Sequence, residues 1–347
     1  MVEPIDCDVH IPGFSIRTGF YLANASYWAY EEQLGEWTDA LGLGSSVHLF
    51  TQGEFHGFVG FTDRVAIVAF RGTRNVENCL TDLEMPLVHK AAYPGRVHHG
   101  FAEAVELVWN DVRTLLGRPS HARPVWVTGH SLGGAMATLA SVRLSAEGFR
   151  IRGVYTYGSP RPGDWSFHND YILPNYRFVN DDDIVPHLPL RWCYQHVGAL
   201  KLLDPEGDLD ESEAAWRDKK AQLVANAKRV QRACRNATET VAEVGDLDWL
   251  EDHHMGRYVD AIAKLLPRVP RRRRIDAAQP GIPQLVSRSP DRDTAATEGL
   301  PNGGAIARPC PDSGSETVSQ PSILPTDDDS LPDLSPDDLL DALVNQR

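Results

Sequence analysis

The sequence is poor in cysteine and has no long apolar run. Its 347 residues include five cysteines, which are widely scattered and form no C-x-x-C pair. A small, odd number of scattered cysteines argues against a disulfide framework or a cysteine-based metal site, and it is typical of a reducing compartment. No stretch approaches the ~20 apolar residues of a membrane-spanning helix, and the first residues lack the basic segment and apolar core of a signal peptide. We therefore expect a cytoplasmic protein, with leaderless secretion as the alternative.

Positive charge is also in short supply. The chain has 34 lysines and arginines against 48 aspartates and glutamates, which gives a formal net charge of −14. Because a surface that binds phosphate backbones needs a basic excess, nucleic acid is excluded as the main partner. The hydrophobic fraction of 42% is ordinary, so the chain can build one large α/β domain or two smaller ones.

Aromatic residues are absent from the last part of the chain. Residues 271–347 contain no Phe, Trp or Tyr and are rich in Pro, Asp and Ser. Such a segment buries too little apolar area to offset its ordering entropy, so we predict a folded domain over 1–270 and a disordered tail over 271–347. The four arginines at 271–274 are interpreted as a solvated linker, with a localisation signal or an anionic-lipid contact as alternatives. The later segment SPDDLLDALV predicts a short helix that docks on an unknown protein partner or forms transiently.

Apolar runs alternate with segments of helical periodicity in the first half of the chain. VHLFTQ, FHGFVGFT, RVAIVAF, PVWVT, RGVYTYG and YRFVN predict strands, and GFAEAVELVWNDVRTLLG and the small-residue segment after Ser131 predict helices. This alternation predicts an α/β fold with a mostly parallel, twisted sheet flanked by helices. A polar stretch at about 204–246, apolar on one face from Trp216 to Cys234, predicts a helical insertion that packs on the domain or caps a substrate cleft.

One serine lies between two glycines where a strand is followed by a helix. The segment Gly129-His130-Ser131-Leu132-Gly133 matches the G-x-S-x-G nucleophile elbow in sequence and in context. A serine on so tight a corner has a strained backbone, and flanking side chains larger than glycine would clash. We predict that Ser131 is a nucleophile rather than part of an ordinary turn, with the Leu132 N–H at the helix start as an oxyanion donor.

A nucleophilic serine needs a base, and the base needs a carboxylate to orient it. In α/β-hydrolases these residues follow in the order Ser, Asp or Glu, His. The segment RFVNDDDIVPHLP supplies the aspartates at 181, 182 and 183 after a predicted strand, and DHHMGRY supplies histidines at 253 and 254. The order is right, but the residues alone do not choose among the three aspartates or between the two histidines.

Six segments together resemble the fungal-type class 3 lipases, an α/β-hydrolase family. They are VAFRGT, VHHGF, VTGHSLGGAMA, YTYGSPRPGD, RFVNDDDIVPHLP and DHHMGRY, and the resemblance covers roughly residues 15–265. In that family the acid directly precedes Ile-Val-Pro, which implies Asp183. The family histidine lies two residues before a methionine and five before a tyrosine, which implies His253.

The resemblance also implies the surroundings of the nucleophile. Thr73, which follows the glycine after an early strand, would be the second oxyanion donor through its N–H and hydroxyl, and Asp82 matches a family aspartate that holds this residue. The segment Asn75–Asp82 resembles the family lid. Its apolar side is formed by Val76, Cys79 and Leu80, and Cys79 stands where tryptophan is common, which weakens the case for strong activation at lipid interfaces.

The implied activity is hydrolysis of carboxylic esters in acylglycerols or related lipids, by the triad Ser131, Asp183 and His253 through an acyl-enzyme. The implied partners are a lipid or small ester and, transiently, a lipid interface; no metal or organic cofactor is implied. A phospholipase or lipolytic effector toxin is the alternative, and an inactive α/β-hydrolase used as a binding module is a minor one. The histidines at 98, 99 and 187 are interpreted as structural rather than as metal ligands or catalytic residues.

Overall fold

The computed structural model describes residues 13–73, 85–119, 123–189, 193–204, 208–212 and 252–266. The chain divides into two structural units, Met1–Arg273 and Arg274–Arg347, and all of the described residues belong to the first unit. The predicted tail, the predicted lid with Asp82, and residues 213–246 of the predicted insertion therefore lie outside the described residues. The predicted domain limits stay a prediction.

An eight-stranded sheet forms the centre of the described part. The ten described strands, eight of which form this sheet, are β1 (Val47–Gln52), β2 (Phe55–Phe61), β3 (Ala66–Phe70), β4 (Leu87–His89), β5 (Arg96–His98), β6 (Val125–His130), β7 (Ile151–Tyr157), β8 (Asn175–Asn180), β9 (Ala199–Leu203) and β10 (Leu209–Asp210). The sheet order is β1-β2-β3-β6-β7-β8-β9-β10, and β4 pairs with β5 separately. Neighbours from β3 to β9 are parallel, whereas β1, β2 and β10 are antiparallel to their neighbours. The predicted mostly parallel sheet is confirmed.

Helices cover both faces of this sheet. They are α1 (Ile16–Trp28), α2 (Glu36–Ala40), α3 (His99–Leu116), α4 (Leu132–Ala146), α5 (Trp165–Asp170) and α6 (Met255–Leu265), with a 3-10 turn at Val185–His187. Helices α3 and α4 pack together on one face, and α1 and α6 pack together on the other. Among the described helices, none combines the length and the apolar character needed to cross a membrane. This arrangement is the predicted α/β-hydrolase fold.

Strand β3 illustrates why the centre of the sheet is stable. All five of its residues are buried, with Ala66, Val68 and Phe70 in one apolar cluster and Ile67 and Ala69 in the other. A strand covered on both faces has no polar alternation, because neither side meets water. Each large apolar side chain buried in this way contributes about 1.5–3 kcal/mol, so the strand ends that carry the site below lie on a rigid support.

Three details differ from the sequence prediction. The helical periodicity of GFAEAVELVWNDVRTLLG predicts that Leu107 shares an apolar face with Val105 and Val108, but Leu107 is 57% exposed, because it lies between the two positions that face the sheet. The predicted helical insertion begins with a strand instead of a helix, since Leu209 and Asp210 pair with Leu203 and Leu202 of β9. Strand β9 itself was not predicted.

Candidate active site

Ser131 lies on a tight corner between β6 and α4. Its backbone has φ 57° and ψ −131°, a conformation that is strained for a residue with a side chain. The corner is held by the Ser131 N–H, which donates to the Tyr157 carbonyl at 2.9 Å. A methyl group on Gly129 would overlap the carbonyl oxygen of Gly133. The corner therefore requires a glycine at 129, which is the physical content of the elbow motif.

Asp183 is the carboxylate that meets a histidine in this region. Its Oδ2 lies 2.8 Å and its Oδ1 3.0 Å from Nδ1 of His253, and both side chains are buried. The N–H of Val185 also donates to Asp183 Oδ1 at 2.9 Å. Asp182 is exposed, and His254 is exposed with its ring accepting from the Gly256 N–H at the start of α6. The structure thus brings Asp183 and His253 together.

Tyr258 supplies a further donor to the same carboxylate. Its hydroxyl donates to Asp183 Oδ2 at 2.6 Å and accepts from the Asn180 N–H at 3.0 Å. Burial, with the nearby charge of Asp183, raises the pKa of Tyr258 well above its ordinary value, so the phenol stays protonated. Sequence reasoning used this tyrosine only as a landmark for His253. Its position five residues after that histidine was the available signal.

Gly158 is a second residue that sequence reasoning missed. It has φ 58°, and a methyl group there would lie 2.7 Å from Asp183 Oδ2 and 3.0 Å from His253 Nδ1. Only glycine combines this backbone conformation with so close an approach. The YTYGSP segment carried the signal, because this glycine directly follows a buried strand.

The two atoms expected to react are buried, and both are available to a substrate. Within the described residues, neither Ser131 Oγ nor His253 Nε2 has a hydrogen-bond partner. Because Nδ1 of His253 donates to Asp183, Nε2 carries the lone pair and is the nitrogen that can take a proton. The chemistry open to this pair is proton transfer from a serine that attacks an electrophile.

The predicted oxyanion donors come from two elements beside the serine. Leu132 is the first residue of α4, where unpaired N–H groups and the helix dipole favour negative charge. The segment after β3 reaches the same place, since the Cβ position of Gly72 lies 3.0 Å from Ser131 Cβ. Thr73 is the next residue. Asp82, the predicted support for Thr73, lies outside the described residues.

Asp252, the residue before His253, has an unusual environment. Its carbonyl oxygen accepts from Asn180 Nδ2 at 3.1 Å, which ties the start of the His253 segment to the end of β8. Burial, followed by the charge of Asp181, raises the pKa of Asp252 to about 6. Its carboxyl group therefore changes charge in a mildly acidic range.

The histidines set aside as structural have identifiable surroundings. His98 caps α3 by accepting from the Phe101 N–H at 3.4 Å, and its ring stacks on the Phe101 ring with centroids 3.9 Å apart. His187 is buried in the 3-10 turn that follows Asp183. Both packing environments fit a structural role.

The fold and the site together define a class of protein. A nucleophile elbow follows a central parallel strand, and an acid and a histidine pair beside it at the carboxyl ends of the strands. This is the arrangement of the α/β-hydrolases that act as serine hydrolases. The comparison with known proteins narrows the class further.

Residues 67–192 match the family described as Lipase (class 3). A secreted mono- and diacylglycerol lipase of Fusarium solani is 36% identical over 168 residues, which are 46% of this chain and 50% of that protein. A lipase of Rhizomucor miehei is 38% identical over 153 residues, 40% of this chain and 42% of that protein. The solved triacylglyceride lipase of Rhizomucor miehei has a TM-score of 0.48 and 26% identity, over 57% of this chain and 87% of that chain. The resemblance that the motifs predicted is confirmed over residues 67–192, which are similar to the class 3 lipase family.

The relatives also correct the expected location. The chain spans half or less of the length of the curated relatives it matches. The Fusarium relative is named as a secreted enzyme, which contradicts the expectation of a cytoplasmic protein. The expectation was wrong because a low cysteine count and the opening residues of a sequence do not determine the compartment.

Proposed function

We propose that this chain hydrolyses carboxylic esters of acylglycerols and releases fatty acid. The observation that carries the proposal is the buried Asp183–His253 pair, at 2.8 Å, beside the strained serine at the start of α4. The substrate class is supported by the Fusarium relative, which is named for mono- and diacylglycerols.

In the first half of the reaction, Ser131 Oγ attacks the acyl carbonyl carbon while His253 Nε2 takes the serine proton. Asp183 keeps the imidazole in the productive tautomer and stabilises the imidazolium that forms. The N–H groups of Leu132 and Thr73, with the Thr73 hydroxyl, stabilise the oxyanion. One such donor is worth about 2.7–4 kcal/mol in the transition state of a related site.

In the second half, His253 gives its proton to the alkoxide of the leaving glycerol, and the ester bond breaks to leave an acyl-enzyme on Ser131. Water then attacks the acyl carbon while His253 Nε2 takes a proton from it. Collapse of the second tetrahedral intermediate returns the proton to Ser131 Oγ and frees the acid. The bonds and protons balance without any further reactant.

The buried interior of the site agrees with this assignment. Gly72 lies close to Ser131, and Gly158 lies close to Asp183 and His253, so the backbone after β3 and after β7 approaches these groups without a side chain between them. Dipoles fixed in advance around a developing charge are worth more in a buried site than in water. A chain used only as a binding module has no need of this arrangement.

The test is fatty-acid release from mono-, di- and triacylglycerols with one acyl chain, and from phosphatidylcholine with the same chain. We expect release from the acylglycerols that survives chelators and disappears in Ser131→Ala. A fluorophosphonate probe should label Ser131 in the wild type. Equal or faster release from phosphatidylcholine would favour the phospholipase alternative. No release, together with no labelling at Ser131, would overturn the proposal.

A further inference from the structure

His130, the residue before the nucleophile, connects two segments that meet at the site. Its Nε2 lies 2.7 Å from the carbonyl oxygen of His253, and its Nδ1 lies 2.7 Å from the hydroxyl of Tyr30. The side chain is buried, and its ring faces the ring of His253 with centroids 4.6 Å apart. His130 therefore contacts the residue that carries the base while standing next to the residue that carries the nucleophile.

The partners of His130 determine its tautomer. A carbonyl oxygen can only accept, so Nε2 of His130 must carry a hydrogen and donate it to His253. In the neutral ring Nδ1 then has a lone pair, and the Tyr30 hydroxyl donates to it. Both ring nitrogens are satisfied in one orientation, which fixes the ring.

We propose that His130 is a positioning residue for the base, and that it acts by holding the backbone carbonyl of His253 at a fixed distance from the elbow that carries Ser131. This inference rests on the proposed function, because it assigns His130 a part in the same reaction.

The backbone of His253 needs such a constraint. Ser131 and Asp183 follow strands of the central sheet, whereas His253 lies two residues before α6 and outside the sheet. Asp183 holds the ring of His253, and Asn180 holds the carbonyl of the preceding residue, Asp252. The bond from His130 adds a constraint at the carbonyl of His253 itself. Misplacement of a reacting group by about 1 Å can cost about 100-fold in rate.

The charge state of His130 is compatible with this role. Burial lowers the pKa of His130 well below its ordinary value, and the positive charge that His253 carries when it is protonated acts in the same direction. A neutral ring beside His253 does not oppose the imidazolium that forms there during turnover, as a second cation would. A positioning group in this place has to stay uncharged.

Substitution of His130 by two different amides distinguishes the roles of its two ring nitrogens. In His130→Gln the terminal amide nitrogen can occupy the place of Nε2 and donate to the His253 carbonyl. In His130→Asn the shorter amide reaches the place of Nδ1 only, so the contact with Tyr30 can persist while the bond to His253 is lost. The pair thus compares polar, uncharged side chains that differ in which contact they keep.

The assay is kcat and KM on a soluble short-chain ester for the full chain, together with the rate of fluorophosphonate labelling at Ser131. We expect His130→Asn to lose about 100-fold in kcat and in labelling rate, with KM and unfolding temperature close to those of His130→Gln. His130→Gln should recover kcat to within a few-fold of the wild type. Equal kcat in the two variants, whether high or low, would show that His130 only fills space.

Tyr30→Phe keeps the test decisive if His130→Asn does not fold. It should lower kcat several-fold in the wild type, because Nδ1 loses its donor and the ring is less firmly fixed. It should change nothing in His130→Gln, which has no Nδ1. An equal loss in both backgrounds would overturn the coupling of Tyr30 to His253 through His130. An unlabelled, inactive wild type would instead overturn the proposed function.

Discussion

Replacing Tyr258 by phenylalanine removes one hydroxyl from the centre of the site. The ring is fully buried, and the hydroxyl makes two hydrogen bonds, one to Asp183 Oδ2 at 2.6 Å and one from the Asn180 N–H at 3.0 Å. The volume of the side chain is almost unchanged, so the effect comes from the lost bonds.

The cost to stability follows from those two bonds. A hydrogen bond to a charged group contributes about 1.5–3 kcal/mol, and a buried N–H left without an acceptor costs about 1–3 kcal/mol. We therefore expect Tyr258→Phe to lower the free energy of unfolding by roughly 2.5–6 kcal/mol. The matched control is Tyr21→Phe, which loses a buried bond to the neutral Leu41 carbonyl. Its expected cost is about 0.5–1.5 kcal/mol.

The effect on turnover should be smaller than the loss of the acid. Asp183 keeps two donors, from Val185 and His253. If the whole bond from Tyr258 acted only in the transition state, its 1.5–3 kcal/mol would correspond to about 10- to 150-fold in kcat. Because the bond also exists in the resting protein, we expect a value near tenfold, with kcat unchanged in Tyr21→Phe. Chemical unfolding and short-chain ester hydrolysis measure the two effects. Wild-type stability and wild-type kcat in Tyr258→Phe would refute this account.

Two further predictions concern the acidic residues. Asp183→Asn should lower kcat by about 10⁴, because an amide cannot hold the required tautomer of His253, whereas Asp181→Asn and Asp182→Asn should have mild effects; steady-state kinetics on a soluble ester decides between them. Asp252 has a pKa raised from 3.8 to about 6, so the folded protein holds more protons than the unfolded chain between these values, and stability should fall as the pH rises through this window. Asp252→Asn should lack this contribution, so the stability of the variant relative to the wild type should be higher above pH 6 than at pH 4, as followed by thermal unfolding. An identical pH dependence in the two proteins would contradict this assignment.

The sheet was largely predictable because its signals are local. Buried strand β3 and the first residues of β6 are short apolar runs, and β6 is followed directly by the turn at Ser131 and by helix α4. Strand β9 was not predicted because the short run ALKLL contains a lysine. Its side chain is nevertheless buried, between the rings of Phe14 and Tyr176 and beside Glu211. Phe14 and Tyr176, which contact the lysine, are distant from this strand in sequence, so no local pattern indicates that the lysine can be buried.

In the site, too, the residues with a local sequence signal were predictable and those with distant partners were not. Ser131 was predictable because its conformation imposes glycines within two residues on either side. Tyr30, Gly158 and Asn180 were not, because each acts on an atom that is distant in sequence: the ring of His130, the Asp183–His253 pair, and the carbonyl of Asp252. The choice between neighbouring aspartates came from family resemblance, since adjacent carboxylates have the same chemistry until the backbone gives them different directions.

The parallel ladder explains why widely separated residues meet at one edge. Phe70 pairs with Gly129, and Tyr157 pairs with both His130 and Phe178. The chain leaves β3, β6 and β8 within a few residues of these positions, so Thr73, Ser131 and Asp183 emerge at the same edge of the sheet whatever lies between the strands. No strand carries His253. Its place depends on hydrogen bonds to its ring, to its own carbonyl and to the carbonyl of Asp252. The base is therefore the member of the site whose position should respond most to single substitutions around it.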